Sequence, residues 1–183
     1  MNSLQGQFLI AAPKLLDRNF ARAVVLMVRH GEDGALGLIV NRPLETRIDE
    51  IWEQVSETSC TAEGLIYQGG PCDGPLMVLH TDADLSQVQV IDGVHFTTDK
   101  DMIEQLVTQT KPRLKFFVGY AGWAVGQLES ELADGSWLTL PAAEPVIFTE
   151  GENLWDTLFK QAHRANLFPG LDPRHIPDDP TVN

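Results

Sequence analysis

Positive charge is scarce in this 183-residue chain: 13 Lys and Arg stand against 26 Asp and Glu, a formal net charge of −13. Such a field repels DNA, RNA and anionic lipid at long range, and no Lys/Arg cluster interrupts it. Direct nucleic-acid binding is therefore not expected. Cysteine is nearly absent. Cys60 and Cys72 form no Cys-x-x-Cys and no Cys/His grouping at zinc-finger spacing, so no metal site is expected, and free thiols in a reducing compartment fit better than a disulfide. Long apolar runs are missing too. The N-terminal stretch MNSLQGQFLIAAPKLLD holds one short run from Phe8 with no basic region before it, unlike a signal peptide, and nothing reaches the length of a membrane span. The expected location is the cytoplasm. The Gly-x-Ser-x-Gly elbow, the Walker loop and His-Glu-x-x-His are all lacking, and the five histidines are scattered, so no cofactor is expected.

What remains is 43% hydrophobic, enough for one globular domain with a sizeable core over residues 1–167, followed by a Pro-rich tail over 168–183. QFLIAAP reads as a buried strand stopped by Pro13. RAVVLMVRH and LGLIVNRP flank the turn GEDGA and read as a hairpin. Both strands are apolar on both faces, which places them centrally in a sheet. In TRIDEIWEQV, Ile48, Ile51, Trp52 and Val55 share one helical face. GLIYQGGPCDGPLMVLH holds two short strands, VQVIDGVHFTTD a hairpin turning at Asp92-Gly93, and DKDMIEQLVTQT a helix with Thr98 as its expected cap. LKFFVGY, SWLTLPA and PVIFTE read as strands, and LWDTLFKQAHRANL as a helix behind Asn153. The irregular mixture points to α/β, mixed α+β, rather than a doubly wound sheet.

The stretch FFVGYAGWAVGQLESE, Phe116 to Glu131, has the strand, Gly-rich turn and helix start of an anion-binding loop. Its chemistry argues otherwise. Gly119, Gly122 and Gly126 are not spaced as G-x-G-x-x-G, no basic residue follows closely, and Glu129 and Glu131 occupy the start of the helix, where they suit the dipole themselves. Two residues apart on a helix, these acids point to different faces. Arg29-His30-Gly31 matches the opening of histidine phosphatases, but the second histidine of that chemistry needs arginines around it, and His80 has none nearby in sequence. Asn41 and Arg42 put an amide and a guanidinium at a strand end, where a planar fork suits a carboxylate or phosphate. Gly69 and Gly70 lie in a Gly/Pro turn with Cys72, whose neighbour Asp73 opposes a thiolate.

GQFLIAAPKLLDRNFARAVVLMVRH, DGALGLIVNRP, GGPCDGPLMVLH and GYAGWAVGQLESE occur in that order, from Gly6 to about Trp155. In this the chain resembles the YqgE/AlgH family of bacterial proteins. The resemblance implies one α/β domain with a bent, partly closed, barrel-like mixed β-sheet surrounded by helices. It implies no established activity or cofactor. One branch is named for regulating alginate production and is labelled a transcriptional regulator. This chain departs from the family at Cys72, where a small apolar residue is usual, and at Arg29 and Gly31 around His30.

The expected function is a non-catalytic binding or regulatory protein with a small-molecule or protein partner. Its candidate cleft is built at strand ends from Asn41, Arg42, Gly69, Gly70, His80, Tyr120, Trp123 and Gln127. The alternative is a hydrolase of a phosphorylated or acyl small molecule, with His80 or His30 as base or nucleophile and Arg42 as anion clamp.

Overall fold

The computed structural model describes residues 3–151 and 153–167. The chain runs through β1 (Gln7–Ala11), β2 (Val24–Gly31), β3 (Gly34–Ile39), β4 (Pro43–Arg47), α1 (Ile48–Val55), β5 (Leu65–Gln68), β6 (Met77–His80), β7 (Val88–Ile91), β8 (Val94–Thr97), α2 (Lys100–Val107), β9 (Leu114–Val118), β10 (Ala121–Trp123), α3 (Gln127–Ala133), β11 (Trp137–Pro141), α4 (Glu144–Ile147) and α5 (Leu154–Leu167).

The strands form two sheets. The first is antiparallel in the order β10-β3-β2-β1-β11; the second runs β4-β5-β9-β6-β8-β7 and is mixed, because β5 pairs with β9 in parallel. The period-2 alternation of side chains divides each strand between two cores. In β2, Val24, Leu26 and Val28 enter a central core shared by both sheets, whereas Val25 and Met27 face the other way. In β9, Phe117 enters the central core and Phe116 the opposite face. Helices cover the outer faces. Leu128 of α3 packs with Trp123 and Trp137 on the first sheet. Trp52 of α1 and Ile103, Leu106 and Val107 of α2 pack on Ile66, Val78 and Phe116 of the second. Trp155, Leu158 and Ala162 of α5 complete the central core. A side chain such as Leu26 or Phe117, fully buried here, contributes about 1.5–3 kcal/mol by leaving water.

The α/β character with helices around mixed strands holds, but the barrel does not. Closure requires the two edge strands of a sheet to pair, and here β10 and β11 remain edges of one sheet, β4 and β7 edges of the other. Two open sheets share a core instead, because the residues on both inner faces are apolar. Local readings also shift. Pro43, the last residue of LGLIVNRP, opens a further strand, β4, at a sheet edge where its missing N–H costs no ladder bond. Asp99, not Thr98, caps α2, its Oδ1 accepting from Met102 N at 3.0 Å, while Thr98 N donates to Gln87 Oε1 at 2.7 Å. PVIFTE is no strand: Glu144–Ile147 is a helical turn, favoured by Pro145 near its start. The short strand β10 hides in the Gly-rich turn. The Pro-rich tail over 168–183 lies outside the described residues.

Candidate functional site

The glycines mark a crossing of backbones between the sheets. Gly69 N donates to Val118 O at 2.9 Å, and Gly69 O accepts from Ile39 N at 2.8 Å, so one residue joins β9 of the second sheet to β3 of the first. A Cβ on Gly69 would stand 2.3 Å from Gly119 O, and one on Gly70 2.2 Å from Tyr120 C. Gly119 itself has φ 70°, a left-handed conformation that strains other residues. Tyr120 and Cys72 exchange both backbone hydrogen bonds at 3.0 Å. These positions are glycine because chain packs on chain.

Asn41 and Arg42 complete the same region from the side. Asn41 Oδ1 accepts from Val24 N and its Nδ2 donates to Arg22 O, both at 2.9 Å, so the amide continues the ladder beyond the end of β3. The Arg42 guanidinium donates to Asn19 O and Ala21 O and holds the loop before β2. Burial pushes its pKa down and Asp17 works against that shift. Two carbonyls thus occupy the fork that a ligand's carboxylate or phosphate would take.

Trp123 is buried rather than lining a deep cleft, and it stacks on Phe20 at 5.9 Å. Its indole N–H and that of Trp137 both donate to Glu131 Oε2, at 2.9 and 2.8 Å. Gln127 donates to Glu131 Oε1 at 3.0 Å and accepts from Ala124 N at 3.1 Å. Glu129 points elsewhere, to His30, as the two-residue spacing required. His30 Nδ1 accepts from Leu4 N at 3.0 Å, which puts the proton on Nε2, 2.9 Å from Glu129 Oε1. Both ring nitrogens are engaged. The Glu129 carboxyl is held below its ordinary range by its own backbone N–H and by His30.

His80 is fully buried on the outer face of the second sheet, and among the described residues neither ring nitrogen has a hydrogen-bond partner. Its ring stacks on His95, 5.8 Å between centroids, and His95 Nδ1 meets Ser86 Oγ at 2.9 Å. Burial, and then the proximity of His95, push the His80 pKa down to about 4. A neutral imidazole stands there, and Arg42, the expected clamp, is bonded instead to the carbonyls of Asn19 and Ala21.

Lys115 escaped the sequence reading because it sits inside an apolar strand. Its Nζ is buried, donates to Ile147 O at 3.0 Å and Thr149 O at 3.3 Å, and lies 4.1 Å from the Tyr67 ring centre. Burial pushes its pKa down to about 8, against the pull of Glu150. The lysine fastens α4 and the turn after it to the sheets.

Among the described residues four hollows stand out. One of about 440 Å³ is lined by Asn41, Tyr67, Thr149 and Glu150. A smaller one of about 150 Å³ adjoins it at Tyr67 and Glu150 and reaches Arg113 and Lys115. An open depression of about 540 Å³ includes Arg29, His30 and Trp123. The fourth, about 400 Å³, is almost wholly apolar. It lies between α1, α2 and the second sheet, with Trp52, Ile66, Leu76, Ile103 and Val118 as walls and Thr98 and Lys100 among its lining. Of the eight residues proposed from the sequence, Asn41 lines one hollow and Trp123 another; Gly69, Gly70 and Tyr120 meet at the sheet corner, and His80 lies apart beside His95. The walls of the apolar hollow come from segments far apart in sequence, each legible only as core. No group of three or more His, Cys, Asp or Glu that could hold a metal occurs among the described residues. No helix among them is long and apolar enough to cross a membrane.

Comparison with known proteins agrees with the motif order. The profile of the AlgH-like family matches residues 8–165. A UPF0301 protein of Chromobacterium violaceum is 40% identical over 97% of this chain and 96% of its own length, and one of Myxococcus xanthus is 39% identical over 87% and 91%. The solution structure of the AlgH protein from Pseudomonas aeruginosa superposes with a TM-score of 0.73 at 34% identity, covering 93% of this chain and 91% of that one. A crystal structure of a Corynebacterium diphtheriae protein shares the fold, with a TM-score of 0.69 at 22% identity over 87% of each chain. A family profile spanning most of the chain, relatives near 40% identity over 87–97% of it and a shared fold place the protein in the AlgH-like family of uncharacterised bacterial proteins.

Proposed function

We propose that this protein is a non-catalytic binding protein with a regulatory role, and that any effect on transcription runs through a bound small molecule or a protein partner rather than through DNA. The observation that carries this reading is the apolar hollow of about 400 Å³ between α1, α2 and the second sheet. Ligand pockets fall at about 300–1,000 Å³, and close-packed interiors leave few voids larger than a water molecule. Two of the three groups that a hydrolase would use are engaged in the architecture, and the third lies away from the hollows. His30 has both nitrogens bonded, Arg42 holds backbone carbonyls, and His80 lines none of the four hollows.

Titration with an environment-sensitive hydrophobic dye tests the reading. The expected result is saturable binding at one site per chain, abolished by Ile51→Trp, which puts an indole into the hollow from a half-buried position. Dye binding that is unsaturable, or unaffected by that variant, argues against the hollow as the site. A screen of phosphatase and esterase substrates tests the absence of catalysis: an activity that follows the purified protein and disappears in His80→Ala would put the hydrolase, the alternative reading, ahead of the binding protein.

A further inference from the structure

We propose that the hollow between α1 and α2 takes a single-chain amphiphile, an unbranched medium-length aliphatic tail carrying a carboxylate head, with Lys100 meeting the head. This rests on the binding reading above and names its ligand. The tail follows from the walls. Trp52 turns its one polar group away, its indole N–H donating to Thr58 O at 2.9 Å, so the hollow receives only its apolar ring. Ile51, Ile66, Pro75, Leu76, Ile103 and Val118 supply no polar side-chain atom. A hydrogen-bonding body would lose its water there without replacement, which disfavours nucleotides and sugars. At about 30 Å³ per water-sized group, 400 Å³ accommodates roughly a dozen heavy atoms, the size of a ten-carbon acid.

The head follows from the one charged group. Among the described residues Lys100 is the single ionisable one lining the hollow, and no carboxylate among them lines it. The lysine stem can run along the wall while its ammonium stays in water. That ammonium is free to move: its side chain is 72% exposed, and its nearest acid, Glu104, stands 3.8 Å away, at the limit of an ion pair. The same Glu104 Oε1 also accepts from Ser56 Oγ at 2.8 Å, a bond that ties the end of α1 to α2. Releasing Lys100 to a ligand therefore leaves Glu104 with a partner. The net charge of −13 does not prevent this, because charges beyond about 8–10 Å are screened at physiological salt while Lys100 acts in contact.

The experiment compares decanoate, decanol and decylamine, each below its aggregation concentration, by calorimetric titration of the full chain. The expected order is decanoate tightest, with a preference over decanol of roughly twofold to fivefold, the range of an exposed ion pair. Lys100→Gln removes that preference and leaves decanol affinity unchanged, and Ile51→Trp abolishes binding of both while circular dichroism confirms the fold. Equal affinities of decanoate and decanol in the unmodified protein, or tighter binding of decylamine, overturn the carboxylate and leave the hollow as a site. Binding of none of the three overturns the amphiphile itself. Binding that survives Ile51→Trp at full affinity places the amphiphile elsewhere and overturns the proposal at this site.

Discussion

His80 makes the protein sensitive to acid at one atom pair. Its folded pKa is about 4, against an ordinary value of 6.5, so the unfolded chain binds a proton that the folded chain refuses. The sign follows: this contribution to stability is complete above pH 6.5 and is lost as pH falls toward 4. At pH 4.5 the loss is about 2–3 kcal/mol. Urea melts of wild type and His80→Leu at pH 7 and pH 4.5 measure it. The variant should lose distinctly less stability between the two, and an equal loss in both would show that other groups govern the acid response. Glu131 governs a second point. Its carboxylate is the acceptor for two indoles, so Glu131→Ala should destabilise the fold by roughly 2–4 kcal/mol and shift tryptophan emission to the red, since each buried donor left alone costs about 1–3 kcal/mol. Neither role was readable in the sequence. Helical spacing separated Glu129 from Glu131, but only folding brings Trp123 and Trp137 to the same oxygen. His80 ends the apolar run LMVLH, a position equally suited to an exposed catalytic group and to the buried, unpartnered ring found there.

The corner where β5, β9 and β3 meet sets the arrangement of the two sheets, and it can be tested with a pair of glycines. A Cβ at Gly70 would lie 2.2–2.3 Å from three backbone atoms of Tyr120 and Ala121, none of which can swing aside, whereas a Cβ at Gly31 meets nothing within 4 Å. Gly70→Ala should therefore cost at least about 3 kcal/mol or prevent folding, and Gly31→Ala should change stability by no more than about 0.5 kcal/mol. Comparable thermal midpoints for the two variants would remove the close crossing as an explanation for Gly70. At this level the sequence was most informative where periodicity and turn chemistry agree. The hairpin of β2 and β3, the Asp92-Gly93 turn and the helices α1, α2 and α5 are all local patterns. It failed where the decisive partner is remote. β4 and β10 are short and exist through pairing with β5 and β3. PVIFTE carries strand-like residues, yet Pro145 and the Lys115 bonds to Ile147 O and Thr149 O fix it as a helical turn. The barrel expectation failed for the same reason, since closure is decided by which edges pair and no local pattern records that.

Across the whole molecule, charge decides which partners can approach. The 13 Lys and Arg are outnumbered two to one, and several are already paired: Arg22 with Asp156 at 2.6 Å, Arg47 with Asp49 at 3.0 Å and Arg113 with Glu144 at 3.2 Å. Such exposed pairs add little stability, about 0–1 kcal/mol each, but each one neutralises a cation that a phosphate would otherwise meet. Lys115 is buried, and Arg42 faces carbonyls. Non-specific DNA affinity comes from Lys/Arg neutralising phosphates and releasing counterions, and it is strongest at low salt. A protein with a net charge of −13 should therefore show the opposite trend, with the long-range repulsion growing as ionic strength falls and the screening length rises from about 10 Å at 0.1 M to about 30 Å at 0.01 M. The expected outcome of a gel-shift titration with random duplex DNA is no retarded species at 10 mM salt or at 150 mM. A shift present at low salt and lost at high salt would reveal a local basic surface strong enough to overcome the overall field, and the regulatory role proposed above would then pass through DNA directly. If no shift appears, a transcriptional effect has to travel through what the protein binds. The hollow between α1 and α2 is then the surface on which to look, because Ile51→Trp and Lys100→Gln alter it without changing the sign of the protein's net charge.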